Sequence, residues 1–151
     1  FYPKVTFVNA ATVLVLQFPL LALLSGIAPL SRAMLGISLM GIAFAMIAVV
    51  PISSQYTILF AVIVLSIGEV ILFPTINLII DRMAPDEMKG SYFGASSLAG
   101  FGFAFGPLIG GGLLHLGGGP ALWWTMGALC VLVAWLYHLA EALRKQGLAT
   151  S

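Results

Sequence analysis

The stretch that decides the fold runs from Tyr56 to Ile80 and reads YTILFAVIVLSIGEVILFPTINLII. It contains a single charged side chain, the carboxylate of Glu69. A helix needs about 20 mostly apolar residues to cross roughly 30 Å of hydrocarbon. The stretch is therefore predicted to be a membrane-spanning helix with one acid near its middle.

Four further stretches are comparable in length and apolarity, at residues 5–27, 33–52, 91–116 and 121–140. Composition agrees, since 61% of the chain is hydrophobic and 7% is charged, against about 25% charged in soluble domains. The strands of a β-barrel would be about ten residues long and alternate in polarity, unlike these runs. We therefore predict an all-α polytopic membrane protein with five transmembrane helices, at residues 5–27, 33–52, 56–80, 91–116 and 121–140.

The basic residues predict the orientation of these spans. If the spans alternate, five of the basic residues lie on one side of the membrane: Arg32, Arg82, Lys89, Arg144 and Lys145. Only Lys4 lies on the other side. Because basic residues favour the cytoplasmic side, the C-terminus is predicted to be cytoplasmic. An odd span count with an external start also predicts that further spans precede this chain. The net charge of +1 gives no reason to expect a nucleic-acid partner.

Glu69 belongs to a polar stripe with Ser66, Phe73 and Asn77, which share an arc of about 80° on one helix face. Pro74 removes one helical hydrogen bond beside this stripe and predicts a kink. A carboxylate near the middle of the bilayer costs about 2.5–3.5 kcal/mol on insertion scales. Burial favours its protonated form, so the stripe is a candidate proton or cation site.

Two polar residues leave alternatives open. Glu69 is interpreted as a functional acid, but it could instead pair structurally with a Lys or Arg on a helix outside this chain. Gln17, near the middle of the first span, either lines a cavity or forms a hydrogen bond with a neighbouring helix.

The fourth span carries a glycine and proline pattern that predicts close packing. Glycines recur every fourth residue at Gly102, Gly106 and Gly110, and Pro107 and Gly111 complete the sequence G-x-x-x-G-P-x-x-G-G. Small residues at this spacing admit a close helix neighbour, and a proline bends a helix. We expect a bent helix with a smooth packing surface.

Other chemistry has little support. Cys130 is the only cysteine, so no internal disulfide is possible. His115 and His138 fall on opposite sides of the membrane and cannot share a metal ion. The chain shows no pairing of a nucleophile with a base and no phosphate-binding loop. We expect no metal, no cofactor and no enzymatic activity.

Three segments carry a family resemblance. They are residues 68–77 (GEVILFPTIN), residues 81–94 (DRMAPDEMKGSYFG) and residues 106–111 (GPLIGG). Together they resemble the C-terminal half of a major facilitator superfamily transporter, helices eight to twelve of twelve, most similar to bacterial drug-efflux-like members. Residues 1–151 would then be a partial C-terminal transmembrane domain. The GPLIGG segment is similar to the antiporter motif of the fifth helix in that family.

The resemblance implies transport by alternating access of two six-helix halves around a midplane site. It places Glu69 and Asn77 at the cavity and, at the cytoplasmic gate, Asp81, Arg82 and Lys89. The predicted function is proton-coupled export of a small organic molecule across a bacterial cytoplasmic (inner) membrane. The partners would be that substrate, protons, the lipid bilayer and a missing N-terminal half.

Two other functions stay open on the sequence. One is a symporter or facilitator of the same superfamily that imports a metabolite. The other is a non-transporting membrane subunit or assembly factor, in which Glu69 would be structural.

Overall fold

A computed structural model describes residues 2–51 and 54–149, with side chains up to residue 146. Its α-helices are α1 (Tyr2–Leu23), α2 (Pro29–Val49), α3 (Gln55–Met83), α4 (Lys89–Ser96) and α5 (Gly100–Ala149). Short 3-10 turns lie at Asp86–Met88 and Ser97–Ala99. The described ranges contain no strand, which agrees with the predicted all-α class. The predicted end of the second span, Ile52, lies outside the described residues.

Four of the helical segments are long and apolar enough to cross a membrane: α1, α2, α3 and the run Asp86–Gln146. The last of these is not straight. Gly118 has φ 69° and ψ −170°, a backbone conformation that favours glycine because it lacks a Cβ. Pro120 follows, where a proline suits the first turn of a helix.

The chain reverses direction at Gly118. A methyl group placed on Gly110 would lie 3.7 Å from Leu122 Cδ1, although twelve residues of straight helix would separate the two positions by about 18 Å. Helix α5 therefore consists of two arms, residues 100–117 (the first arm) and residues 119–149 (the second arm). The predicted glycine-rich break at residues 117–120 forms the turn between them.

Helix α2 lies at the centre of the described fragment, between α3 and the second arm of α5. Near the start of α2, the Ser31 hydroxyl donates a hydrogen bond to the Glu141 carboxylate. Near the other end of α2, Phe44 stacks on Trp123, with ring centroids 5.9 Å apart. The second arm therefore runs antiparallel to α2. Helix α1 packs on α3 and has no buried residue of its own.

The first arm is the least covered part of the bundle. Its large side chains are exposed, among them Phe103 and Leu108. Nothing in the described part of the chain lies within 4 Å of a Cβ built on Gly102, Gly106 or Gly111. Of this glycine pattern, only Gly110 has a neighbour among the described residues, the side chain of Leu122 in the second arm at 3.7 Å. That is ordinary van der Waals contact, so the predicted close approach of a neighbouring helix is not seen within the described residues.

A glycine pair sets the spacing between α2 and α3. A Cβ on Gly68 would lie 2.8 Å from the Gly36 carbonyl oxygen and 2.7 Å from Met40 Cγ. A Cβ on Gly36 would lie 3.0 Å from Leu72 Cβ. Small residues at such a crossing let helix backbones approach and gain van der Waals contact in a medium without a hydrophobic driving force.

We expect Gly68→Ala to destabilise the protein by about 1–3 kcal/mol, because the added methyl overpacks the contact between the two helices. Gly94→Ala is the matched control, since a Cβ there meets nothing within 4 Å. It should be neutral or stabilising by about 0.5–1 kcal/mol through helix propensity. Thermal unfolding of the purified protein in detergent compares the two, and equal effects would contradict a tight crossing at Gly68.

Candidate polar site between helices α1 and α3

Helices α1 and α3 are joined by one side-chain cluster. The Asn9 amide nitrogen donates to Ser66 Oγ at 2.9 Å and to Glu69 Oε2 at 2.8 Å. Ser66 in turn donates to the Val62 carbonyl oxygen at 2.7 Å. Three polar side chains from two helices therefore form one connected network.

The donors in this network are fully used. A side-chain amide has two N–H hydrogens, and those of Asn9 go to Ser66 and Glu69. The Ser66 hydroxyl, which is fully buried, has one hydrogen, and it goes to Val62. Buried polar groups are expensive when they lack a partner, so this arrangement accommodates polar groups in an otherwise apolar contact.

Beside the network lies a groove of about 270 Å³, lined by Val13, Gln17, Glu69, Val70, Phe73 and Pro74. Glu69 is the only ionisable residue in that lining. The volume lies just below the usual range for small-molecule pockets, about 300–1,000 Å³. The groove therefore suits a proton, water or part of a ligand better than a whole organic molecule.

The local sequence explains this placement. Asn9, Val13 and Gln17 are spaced by four residues, so they share one face of α1. That face meets the stripe on α3 that carries Ser66 and Glu69. Helix α3 continues from Gln55 to Met83 through Pro74, and the proline contributes its ring to the groove.

The structure brings together three of the four residues predicted for the cavity, namely Ser66, Glu69 and Gln17. Asn77 is exposed and lies outside the groove. Asn9 was missed, although its spacing from Gln17 would have identified it.

Glu69 has a neutral partner. Among the described residues, no Lys or Arg nitrogen lies within 4 Å of its carboxylate. Within this part of the chain, the hydrogen-bond partner of Glu69 is the Asn9 amide. The structural alternative, a Lys or Arg on a helix outside this chain, stays a prediction. The described residues also contain no group of three metal-ligating side chains.

The residues predicted for the gate separate into two places. Lys89 Nζ lies 3.1 Å from Asp81 Oδ1 and 3.2 Å from Asp86 Oδ1. The two carboxylates hold the Lys89 ammonium group between the end of α3 and the turn that follows it. Arg82 does not join them, but lines a second groove with Arg144.

An all-helical chain with spans of membrane length and a carboxyl group on an interhelical groove is typical of membrane transport proteins. The profile of the Major Facilitator Superfamily matches residues 5–149. The chain therefore belongs to this superfamily, which confirms the predicted family of membrane transporters and the expectation that the protein is not an enzyme.

Two relatives place the chain within longer proteins. It is 37% identical over 113 residues to the MFS-type transporter YqjV of Bacillus subtilis, covering 73% of this chain and 26% of that protein. It is 40% identical over 76 residues to the MFS-type transporter YdeE of Escherichia coli, covering 50% of this chain and 19% of that protein. The chain thus spans about a quarter or less of these relatives. No solved structure matches it significantly.

A double-mutant cycle tests the contact between Asn9 and Glu69. Asn9→Leu should lower the free energy of unfolding by about 1–3 kcal/mol more in the wild-type background than in the Glu69→Leu background. Only in the wild-type background does the substitution leave a carboxyl group without its partner. Thermal unfolding in detergent gives the comparison. Asn77→Leu, on the same stripe but exposed, is the control and should show no coupling to Glu69. A cycle that closes to zero for Asn9 would contradict the contact.

Proposed function

We propose that this chain is part of the C-terminal half of a proton-coupled exporter of small organic molecules, similar to drug-efflux members of the superfamily. Glu69 would carry the coupling proton. The observation that supports this role most strongly is the setting of Glu69. Its carboxyl group lies on an apolar groove and accepts a hydrogen bond from a neutral amide, and no Lys or Arg nitrogen lies within 4 Å of it among the described residues.

A neutral partner matters for the mechanism. A carboxylate paired with Lys or Arg holds its charge firmly, because the opposite charge favours the ionised form. An amide stabilises the ionised form through one hydrogen bond, and it also offers an oxygen acceptor when its side chain rotates. The Asn9 amide could therefore accept a hydrogen bond from protonated Glu69, so that both charge states have a partner.

Coupling follows if the two access states differ in proton affinity, since a ligand shifts an equilibrium only by its differential affinity for the two states. In the described conformation Asn9 stabilises the ionised carboxylate by donating to Oε2. A movement of α1 relative to α3 would break this bond and favour protonation. Gln17, on the same groove, would contact the substrate or the proton path.

The direction of transport and the location of the protein are proposed from the sequence and from the relatives. The GPLIGG segment resembles the antiporter motif, and this favours export. A cytoplasmic C-terminus is favoured by the five basic residues at one end of the predicted spans, Arg32, Arg82, Lys89, Arg144 and Lys145. The relatives are bacterial, which favours the bacterial inner membrane. Asn77 would face substrate when the missing half completes the cavity.

Lys89 would serve the cytoplasmic gate. It bridges Asp81, at the end of α3, and Asp86, in the following turn. These contacts hold the connection from α3 to α4 against the end of α3. Opening of the cavity on this side would require the bridge to break or move. The first arm of α5 would provide the surface on which the two halves slide.

Inverted membrane vesicles containing the full-length protein test the coupling residue. Lipophilic cations added outside should dissipate an internally acid proton gradient through the wild type, and Glu69→Gln should abolish the response while inserting normally. Glu87→Gln, which removes an exposed carboxylate from a turn, is the matched control and should respond like the wild type.

The outcomes separate the alternatives. If Glu69→Gln responds like the wild type, Glu69 is structural and the proposed coupling is wrong. If no tested cation releases protons but a metabolite enters with them, the protein is a symporter. If neither protein transports anything, a non-transporting role is favoured.

A variant of the proposed gate should alter the transport rate rather than the proton coupling. Lys89→Gln removes both ion pairs and should change the transport rate several-fold while leaving the number of protons exchanged per substrate unchanged. Initial rates in the same vesicles measure this. Lys145→Gln also removes a lysine that bridges to an acid, Glu141, and should leave the rate unchanged. Equal effects of the two variants would contradict a specific gate at Lys89.

A further inference from the structure

A second groove, of about 460 Å³, lies where the connection from α1 to α2 meets the ends of α3 and of the second arm of α5. Its walls are largely apolar and include Leu30, Ile79 and Met83. Two charged residues line it, Arg82 from α3 and Arg144 from the second arm. The groove is therefore apolar along its length and cationic at two points.

Neighbouring acids are already engaged by lysines. Asp81, next to Arg82, pairs with Lys89 at 3.1 Å. Glu141, one turn before Arg144, pairs with Lys145 at 3.1 Å. Within the described part of the chain, no carboxylate oxygen lies within 4 Å of either arginine; Glu141 interacts with Arg144 only at longer range. Both arginines thus line the groove without a carboxylate oxygen within 4 Å among the described residues.

The position of Arg144 is fixed by the helix that carries it. Ser31 donates a hydrogen bond to the Glu141 carboxylate at 3.1 Å. Glu141 is buried, with 7% of the residue exposed. This contact ties the second arm to the start of α2 and sets its rotation. Arg144, three residues on, is directed to the groove on the side of α3.

We infer that this groove binds an anionic phospholipid, with its phosphate between Arg82 and Arg144 and the start of an acyl chain along the apolar wall. Guanidinium groups match phosphate oxygens through paired N–H donors. A groove at the ends of membrane-length helices lies at the depth of lipid headgroups, where basic pockets between helices bind anionic lipids. A soluble anion would use the arginines but not the apolar wall.

Native mass spectrometry of the full-length protein tests this inference. Phosphatidylglycerol and phosphatidylcholine with identical acyl chains are titrated, and the wild type should bind the anionic lipid more tightly. Each basic residue near a membrane surface contributes a factor of about five, so Arg82→Gln with Arg144→Gln should weaken phosphatidylglycerol binding about 25-fold. Binding of phosphatidylcholine should not change, which also reports that the variant is folded.

Lys145→Gln is the matched control, because it removes one positive charge from the same helix end but not from the groove. It should lower phosphatidylglycerol binding less than Arg144→Gln alone, which should cost about fivefold. Three results would each overturn the inference: no preference between the two lipids in the wild type, equal losses in Lys145→Gln and Arg144→Gln, or displacement of the lipid by inorganic phosphate at equal concentration.

Discussion

The close approach of α2 and α3 at Gly36 and Gly68 is the constraint on which the rest of the structure depends. Neither glycine has room for a Cβ without a contact of about 3 Å or less. The contact fixes which face of α3 turns towards α2. Because successive residues on a helix are 100° apart, the residue after Gly68 is turned away from this contact, and Glu69 meets α1 instead.

That geometry makes Glu69 tolerable and usable at the same time. An acid within a membrane span costs several kcal/mol unless it is neutralised or bonded. The Asn9 amide supplies a hydrogen bond to this carboxylate without supplying a charge. In the transport cycle that we propose, movement of α1 would break this bond and let Glu69 change its protonation state.

The helices were predictable because their apolar stretches have the length of a bilayer and are separated by Gly, Pro and Ser. The turn at Gly118 was predictable for the same reason. Which helices pack against each other was not predictable. The polar residues of a span show which of its faces is unusual, but they do not show which neighbouring helix packs on that face. The sequence was enough to put Ser66 and Glu69 on one polar stripe and Gln17 near the middle of the first span. It was not enough to predict the bond from Asn9, because that bond depends on which helix lies beside α1. The two arginines of the second groove come from distant parts of the sequence, and only the fold brings them together.

We propose that Glu69 changes its protonation state within the transport cycle. Infrared difference spectroscopy measures such a change directly. Full-length protein in lipid is compared with and without a transported cation, and the carboxyl C=O band is assigned by its loss in Glu69→Gln. We expect a carboxylic-acid band that decreases when the cation binds, because the proposed exchange releases the Glu69 proton when the substrate is taken up. A difference spectrum identical in the wild type and Glu69→Gln would contradict it.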